Sequence, residues 1–293
     1  MNTDKMRKAA PFLVAAAAIL WGFLVVFVRK LNAAGLEAMD IVGIRVYGSA
    51  FFLFVGIGAF QRKWLRMKIK DSWCFVGTGV FSIVFFSYCY FRNVQVSSVA
   101  LSSILMYTSP VWVTLLSAIC FREKLTGRKM LALLMALAGC ILVSGITGGV
   151  GAVSTQGILL GLGSGIGYGL YSIFGRFALN RGYHPMTVSA YTFLFACVGV
   201  LPFIDVSSIL LRLMEEPVLW VWAICISLLT TCLSFSLYTF GLQYMEPGRA
   251  AVLATLEPIV STLVGVFGYQ EPLTPVMLVG IVVVLAASVL ISR

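Results

Sequence analysis

The chain alternates long apolar runs with short polar punctuation. Ten runs can be read, at about residues 9–29, 40–60, 73–91, 97–120, 129–147, 156–177, 186–204, 218–240, 248–268 and 275–292. Each is close to the ~20 residues a helix needs to cross the hydrocarbon core of a bilayer. They are too long and too uniformly apolar for barrel strands, which alternate over segments of about ten residues. A lipid-facing backbone must satisfy its own hydrogen bonds, so the runs are predicted to be helices. Between them fall residues that end helices: Asn32 to Gly35, Gly148 and Gly149 with Gly151, Gly182 with Pro185, and Pro247 with Gly248. The expected fold class is an all-α integral membrane protein with ten transmembrane helices.

Composition sharpens this reading. Of 293 residues, 60% are hydrophobic and 11% charged, with a mean hydropathy of +1.00. A soluble domain carries about a quarter charged residues, so a soluble enzyme and a disordered chain are both excluded. The net charge of +10 would suggest nucleic acid in a soluble domain. Here the positions of the cations decide. With the N-terminus inside, 16 cations fall in inner segments and four, Arg29, Lys30, Arg92 and Arg212, in outer ones, while Arg45 lies within a span. The positive-inside rule then puts both termini in the cytoplasm of a multi-pass protein of the cell (plasma or inner) membrane, with no nucleic-acid partner. Lys5, Arg7 and Lys8 lead into a first span that lacks a cleavage site and reads as a retained signal-anchor helix. Trp64, Trp73, Trp220 and Trp222 lie near span ends, as interfacial belts do. The seven cysteines are scattered in apolar stretches without a C-x-x-C pair and read as small buried residues.

The chain also resembles itself. At an offset of 148, Leu105 meets Leu253, Pro110 meets Pro258, Thr114 meets Thr262, Glu123 meets Glu271, and Leu125-Thr126 meets Leu273-Thr274. At 147, Trp21-Gly22 pairs with Tyr168-Gly169, Phe27 with Phe174, Arg29 with Arg176, and Gly35 with Gly182. The expected division is 1–148 and 149–293, each with five spans, the first half carrying a net +11 and the second −1. An odd number of spans makes the second copy start from the opposite face, so two inverted five-helix repeats are expected to surround a central cavity. Such repeats suit alternating access.

The stretch Leu101 to Thr126, with Thr108-Ser109-Pro110 and Phe121-Arg122-Glu123-Lys124-Leu125-Thr126, resembles the EamA repeat of the drug/metabolite transporter superfamily. Its partner runs from Ala250 to Thr274, with Leu256-Glu257-Pro258 and Tyr269-Gln270-Glu271-Pro272-Leu273-Thr274. Trp21-Gly22 in the first span and Arg45 in the second also look like this family. The resemblance covers essentially the whole chain and implies ten helices around a cavity, with export or exchange of metabolites, amino acids or drugs. It does not transfer a substrate.

Glu257 is the one acid deep within a predicted span. An intramembrane carboxylate is costly and marks a pathway or proton relay by default. The bland alternative is a packing device that bonds backbone groups freed by Pro258. Arg45, about five residues into the second span and ~7 Å deep, either snorkels outward or pairs with a substrate carboxylate or with Glu257. Trp21, Tyr88, Tyr107, Tyr168, Tyr171 and Tyr238 are span-internal aromatics with polar handles, the kind that line organic-substrate cavities, although each alone also suits packing. Ser109 belongs to a polar set with Ser98 and Ser102 that either faces the cavity or serves helix contact. Pro110 and Pro258 interrupt their spans at matching places and are candidate hinges. The alternation Gly161, Gly163, Gly165, Gly167, Gly169 reads as a helix-packing face, and no G-K-[ST] follows a glycine run, so no phosphate loop is expected.

No enzyme is expected, because the single histidine, His184, sits in an inner loop beside Pro185 and can build neither a dyad nor a histidine metal cluster. No metal or other cofactor is expected. The leading expectation is a secondary transporter that moves a small organic metabolite, amino-acid-like or lipophilic and drug-like, as an exporter or exchanger, with protons as a candidate coupling ion. The alternative is a membrane channel or receptor without carrier activity.

Overall fold

A computed structural model describes residues 3–144 and 154–292. The predicted connection at Gly148, Gly149 and Gly151, the expected boundary between halves, and Arg293 lie outside the described residues. Among the described residues there is no strand.

The first apolar run forms α1 (Thr3–Gly22) and α2 (Leu24–Ala33), and the second forms α3 (Ala38–Phe60). In the third, α4 (Ser72–Val76) and α5 (Phe85–Val96) flank a π-helical stretch, Gly77–Val84. The fourth is broken into α6 (Val99–Met106) and α7 (Ser109–Phe121), and α8 (Gly127–Val143) follows. After these come α9 (Thr155–Asn180), α10 (Pro185–Val200) and a short α11 (Val206–Glu215). A second π-helical stretch, Leu228–Leu233, joins α12 (Val218–Ser227) to α13 (Ser234–Tyr244). Another broken run supplies α14 (Pro247–Ala254) and α15 (Leu256–Tyr269), and α16 (Pro275–Ser292) is the last helix described. Among the described residues, nine of these runs are long and apolar enough to cross a membrane. The 17-residue α8 packs along α16.

The interruptions have chemical causes. A proline cannot donate to the preceding turn and clashes with it, so the fourth run parts just before Pro110 and its counterpart just before Pro258. A threonine closes each break with its side chain. Thr108 donates its hydroxyl to the Leu105 carbonyl at 2.6 Å, and Thr255 does the same to Val252 at 2.6 Å. These two bonds recur 147 positions apart. The left-handed residues recur in the same way: Arg122 (φ 55°) with Gln270 (φ 56°), and Gly35 (φ 82°) with Gly182 (φ 83°).

The core is assembled from small and medium side chains on α1, α3, α9, α10, α13 and α14, including Ala10, Val14, Ala17, Val46, Phe193 and Leu242, all fully or almost fully buried. Many large apolar side chains point outward instead, such as Phe12, Phe60, Ile119 and Val282, as a hydrocarbon solvent permits. The connection between α3 and α4 is strapped to the α9–α10 corner. Trp64 stacks on His184 with ring centroids 3.7 Å apart, Thr187 donates to the Trp64 carbonyl at 2.6 Å, and Tyr183 donates to Asp71 at 2.7 Å. The His184 ring also accepts from the Met186 amide at the start of α10. Burial, with Lys63 nearby, holds it below the usual imidazole range.

One element goes beyond the sequence reading, which leaves 205–217 as a connection. The stretch folds as the amphipathic α11, too short and too charged to cross a bilayer. Asp205 caps it by accepting from the Ser207 and Ser208 amides at 3.0 and 3.1 Å, while Ile209 and Leu213, one turn apart, are buried. Replacing Asp205 with Ala is expected to cost about 1 kcal/mol of α11 stability. Faster amide exchange confined to 206–215 is the result that checks it.

Candidate functional site

Four of the broken or π-wound spans, together with α3 and α9, converge on one small cavity of about 50 Å³. The end of α1 brings Trp21, and the break after it brings Leu24. Arg45 comes from the first third of α3. The first π-helical stretch turns Ser82 and Ile83 inward, and α5 adds Phe86. From α9 come Tyr168, Tyr171 and Ser172, which share one face because three- and four-residue steps bring a helix back to the same side. Phe235 and Tyr238 do likewise on α13, and Glu257 stands at the start of α15.

The geometry is ordered by hydrogen bonds. Tyr168 donates its hydroxyl to Glu257 Oε2 at 2.8 Å. Behind the cavity wall, Tyr171 and Thr239 share a bond of 2.7 Å, as do Ser172 and Tyr238, so both phenol rings are held in place. Trp21 packs edge-on against Phe235 at 5.0 Å and tilted against Tyr238 at 5.3 Å, and Phe86 meets Tyr168 edge-on at 5.2 Å. These are favourable aromatic distances. The result is a rigid aromatic box with a carboxylate on one wall.

The opposite charge is present and unsatisfied. Arg45 is 9% exposed, and its Nε is buried without a hydrogen-bond partner. Glu257 is its largest electrostatic neighbour, followed by Tyr168, yet no ion pair within 4 Å joins Arg45 to Glu257 among the described residues. The Trp21 Nε1 donor is also buried and unpartnered. A buried donor without a partner costs stability unless something completes it. Two residues lining the cavity thus each carry a donor without a protein acceptor, and a third, Glu257, carries a carboxylate. Its present volume suits a few waters. Among the described residues no three His, Cys, Asp or Glu side chains could together hold a metal ion.

Six of the residues singled out in the sequence line this cavity: Trp21, Arg45, Tyr168, Tyr171, Tyr238 and Glu257. The others lie elsewhere. Tyr107 is buried behind Glu257, among Met106, Cys140, Ile259 and Val284. Tyr88 is 37% exposed and lines a separate open recess with Glu37, Arg92, Gln95 and Phe203. Ser109 is buried at the start of α7, with its carbonyl close to Gly169. Pro110 and Pro258 sit in the first turn of α7 and α15, directly after the breaks. Sequence reasoning missed Leu24, Ser82, Ile83, Phe86, Ser172 and Phe235. The spacing from Tyr168 and Tyr171 to Ser172 carried a signal, whereas phenylalanines in an apolar run carry none, since lipid accepts them equally well.

Comparison with known proteins fits this arrangement. The sequence matches the EamA-like transporter family twice, over residues 8–145 and 155–293. An uncharacterized transporter of Archaeoglobus fulgidus is 28% identical over 280 residues, covering 96% of this chain and 95% of the relative. The threonine/homoserine exporter RhtA of Escherichia coli is 24% identical over 236 residues, 78% of this chain and 75% of RhtA. A solved crystal structure shares the fold with a TM-score of 0.81 at 16% identity, covering 96% of both chains. The two matches together span nearly the whole sequence, and the chain belongs to the EamA-like transporter family.

Proposed function

We propose that this chain is a secondary transporter that carries a small zwitterionic metabolite, of the amino-acid class, through the Arg45–Glu257 cavity by alternating access. The observation that carries the proposal is the pair of unlike charges lining one aromatic box without pairing to each other. A substrate carboxylate would meet Arg45 and the Trp21 indole, in charge-assisted bonds. Its ammonium would meet Glu257, with the faces of Trp21 and Phe235 adding cation–π attraction. The name of the relative RhtA, a threonine/homoserine exporter, supports both the substrate class and an outward direction.

The same proposal takes the chain as ten spans in two five-helix halves, divided near 148 and inverted with respect to each other, with both termini cytoplasmic. The paired helix breaks, paired π-helical stretches and paired left-handed residues support it, and so does the distribution of cations. Pro110 and Pro258 are then the hinge points of matching spans. A cavity of about 50 Å³ is too small for such a substrate, so the helices around it must part to load it. Glu257 is also the group suited to exchange a proton if transport is proton-coupled.

Ligand-induced thermal stabilisation of the purified protein across a panel of metabolites tests the substrate class. Stabilisation by neutral amino acids, with little from their amides or amine-free analogues, is expected. A response confined to multivalent anions would refute the zwitterion reading.

A further inference from the structure

The span Pro247–Tyr269 carries three carboxylates in a row along the path: Glu246 just before it, Glu257 at its break, and Glu271 just beyond it. The outer two belong to ionic contacts that cross between the halves. At one end Glu271 pairs with Arg29 of α2, whose guanidinium also lies 4.2 Å over the Tyr269 ring. At the other end Lys129 of α8 pairs with Glu123 at 2.5 Å and with Glu246 at 3.3 Å. Ser117 donates to the same Glu123 oxygen at 3.0 Å. Arg176 of α9 donates to the Leu242 carbonyl at 2.7 Å and has Glu123 and Glu246 as its charged neighbours.

These contacts are two versions of one arrangement. Glu123 and Glu271 stand 148 positions apart, each directly after a left-handed residue, Arg122 or Gln270. Each donates its amide to the carbonyl six residues back, Ser117 or Gly265. Arg29 and Arg176 stand 147 apart; Arg29 pairs with Glu271 of the other half, whereas Arg176 is bonded to backbone carbonyls and has Glu123 only as a charged neighbour. The two versions differ in strength. Of the pairs that cross the halves, Lys129 and Glu246 are 4% and 48% exposed, against 43% and 47% for Arg29 and Glu271, and Glu123 holds the buried Lys129 in place. The positions matching Ser117 and Lys129 are Gly265 and Met277, which supply neither the hydroxyl nor the ammonium. A pair exposed on both sides is screened by water and contributes little, whereas one with a buried partner is screened less.

We propose that the two contacts are alternating latches on the transport path, and that the inner one, Glu123–Lys129–Glu246, is the stronger, so that the empty carrier opens first toward the outside. This rests on the alternating-access reading above and adds which face yields. Both latches are closed in the present structure, which matches its contracted cavity. Because the faces are coupled through rigid halves, weakening one latch must protect the other.

Hydrogen–deuterium exchange of the whole protein in lipid nanodiscs reads both faces at once, through amides at 117–129 and 265–272. In the wild type the outer segment is expected to exchange faster. Glu271→Gln should speed it further and slow the inner segment by at least about fivefold, a typical coupling between sites. Glu246→Gln should do the reverse, and the exposed charge swap Arg29→Glu with Glu271→Arg should return both rates to wild-type values. The exposed pair alone carries the test if Glu246→Gln fails to fold. Faster exchange at the mutated face with no change at the other overturns the latches. Substrate counterflow in proteoliposomes keeps the two ideas apart. A wild type without counterflow defeats the alternating-access reading, whereas counterflow with uncoupled faces defeats only the latches.

Discussion

Replacing Glu257 with Gln is expected to lower affinity for a zwitterionic substrate by about 10- to 100-fold, the range for losing one charged hydrogen bond. The substitution keeps shape and volume, and the Tyr168 hydroxyl can still donate to the amide oxygen. The fold should therefore survive while the negative pole disappears. Arg45 then remains as a lone charge beside the unpartnered Trp21 donor, so selectivity should shift toward anions lacking an amine. Tyr168→Phe provides the contrast. It keeps the charge but removes the donor at 2.8 Å that orients it, and a smaller loss, about tenfold or less, is expected. Equilibrium binding on both variants checks this, and unchanged affinity for a neutral amino acid in Glu257→Gln would remove the carboxylate from the site.

A large effect on stability is expected at Gly165. A methyl group there would stand 2.6 Å from the Thr108 hydroxyl and 2.7 Å from the Leu105 carbonyl. Both atoms belong to the break between α6 and α7, and they are bonded to each other at 2.6 Å. Backbone at a break cannot retreat without undoing that bond. Gly165→Ala should therefore cost about 1–3 kcal/mol, as overpacking does, and lower the thermal midpoint by several degrees. Gly58→Ala is the control, because no atom lies within 4 Å of the added carbon and alanine favours helix over glycine. Equal midpoints for the two variants would mean that the α9 face tolerates separation from α6.

That glycine face shows what was legible in the sequence. Alternate glycines from 161 to 169 announce close helix contact because a missing side chain has few other uses in a membrane helix. Gly161, Gly165, Gly167 and Gly169 indeed meet Leu105, Leu105 and Thr108, Phe86, and Val113 respectively. Long apolar runs announced the spans, and matched prolines announced matched breaks. What stayed hidden was direction. A tyrosine within a span reads the same whether it faces a cavity, as Tyr168 does, a packed core, as Tyr107 does, or an open recess, as Tyr88 does. Phe86 and Phe235 were invisible for a related reason. The amphipathic α11 was missed because its two buried residues are too few to stand out as a pattern. Charge was the more informative signal. Both intramembrane candidates, Arg45 and Glu257, reach the same cavity, since burying an unpaired ionisable side chain in lipid serves no packing purpose.

The account stands or falls on carriage through this cavity. Counterflow in proteoliposomes holding the purified chain measures it directly, with the neutral amino acid that most stabilises the protein, radiolabelled outside and unlabelled within. Uptake is expected to saturate with outside substrate, to be stimulated by substrate on the trans side, and to need about 10- to 100-fold more substrate in Glu257→Gln. Uptake that rises linearly with concentration and ignores trans substrate, or single-channel currents from the same vesicles, would contradict it.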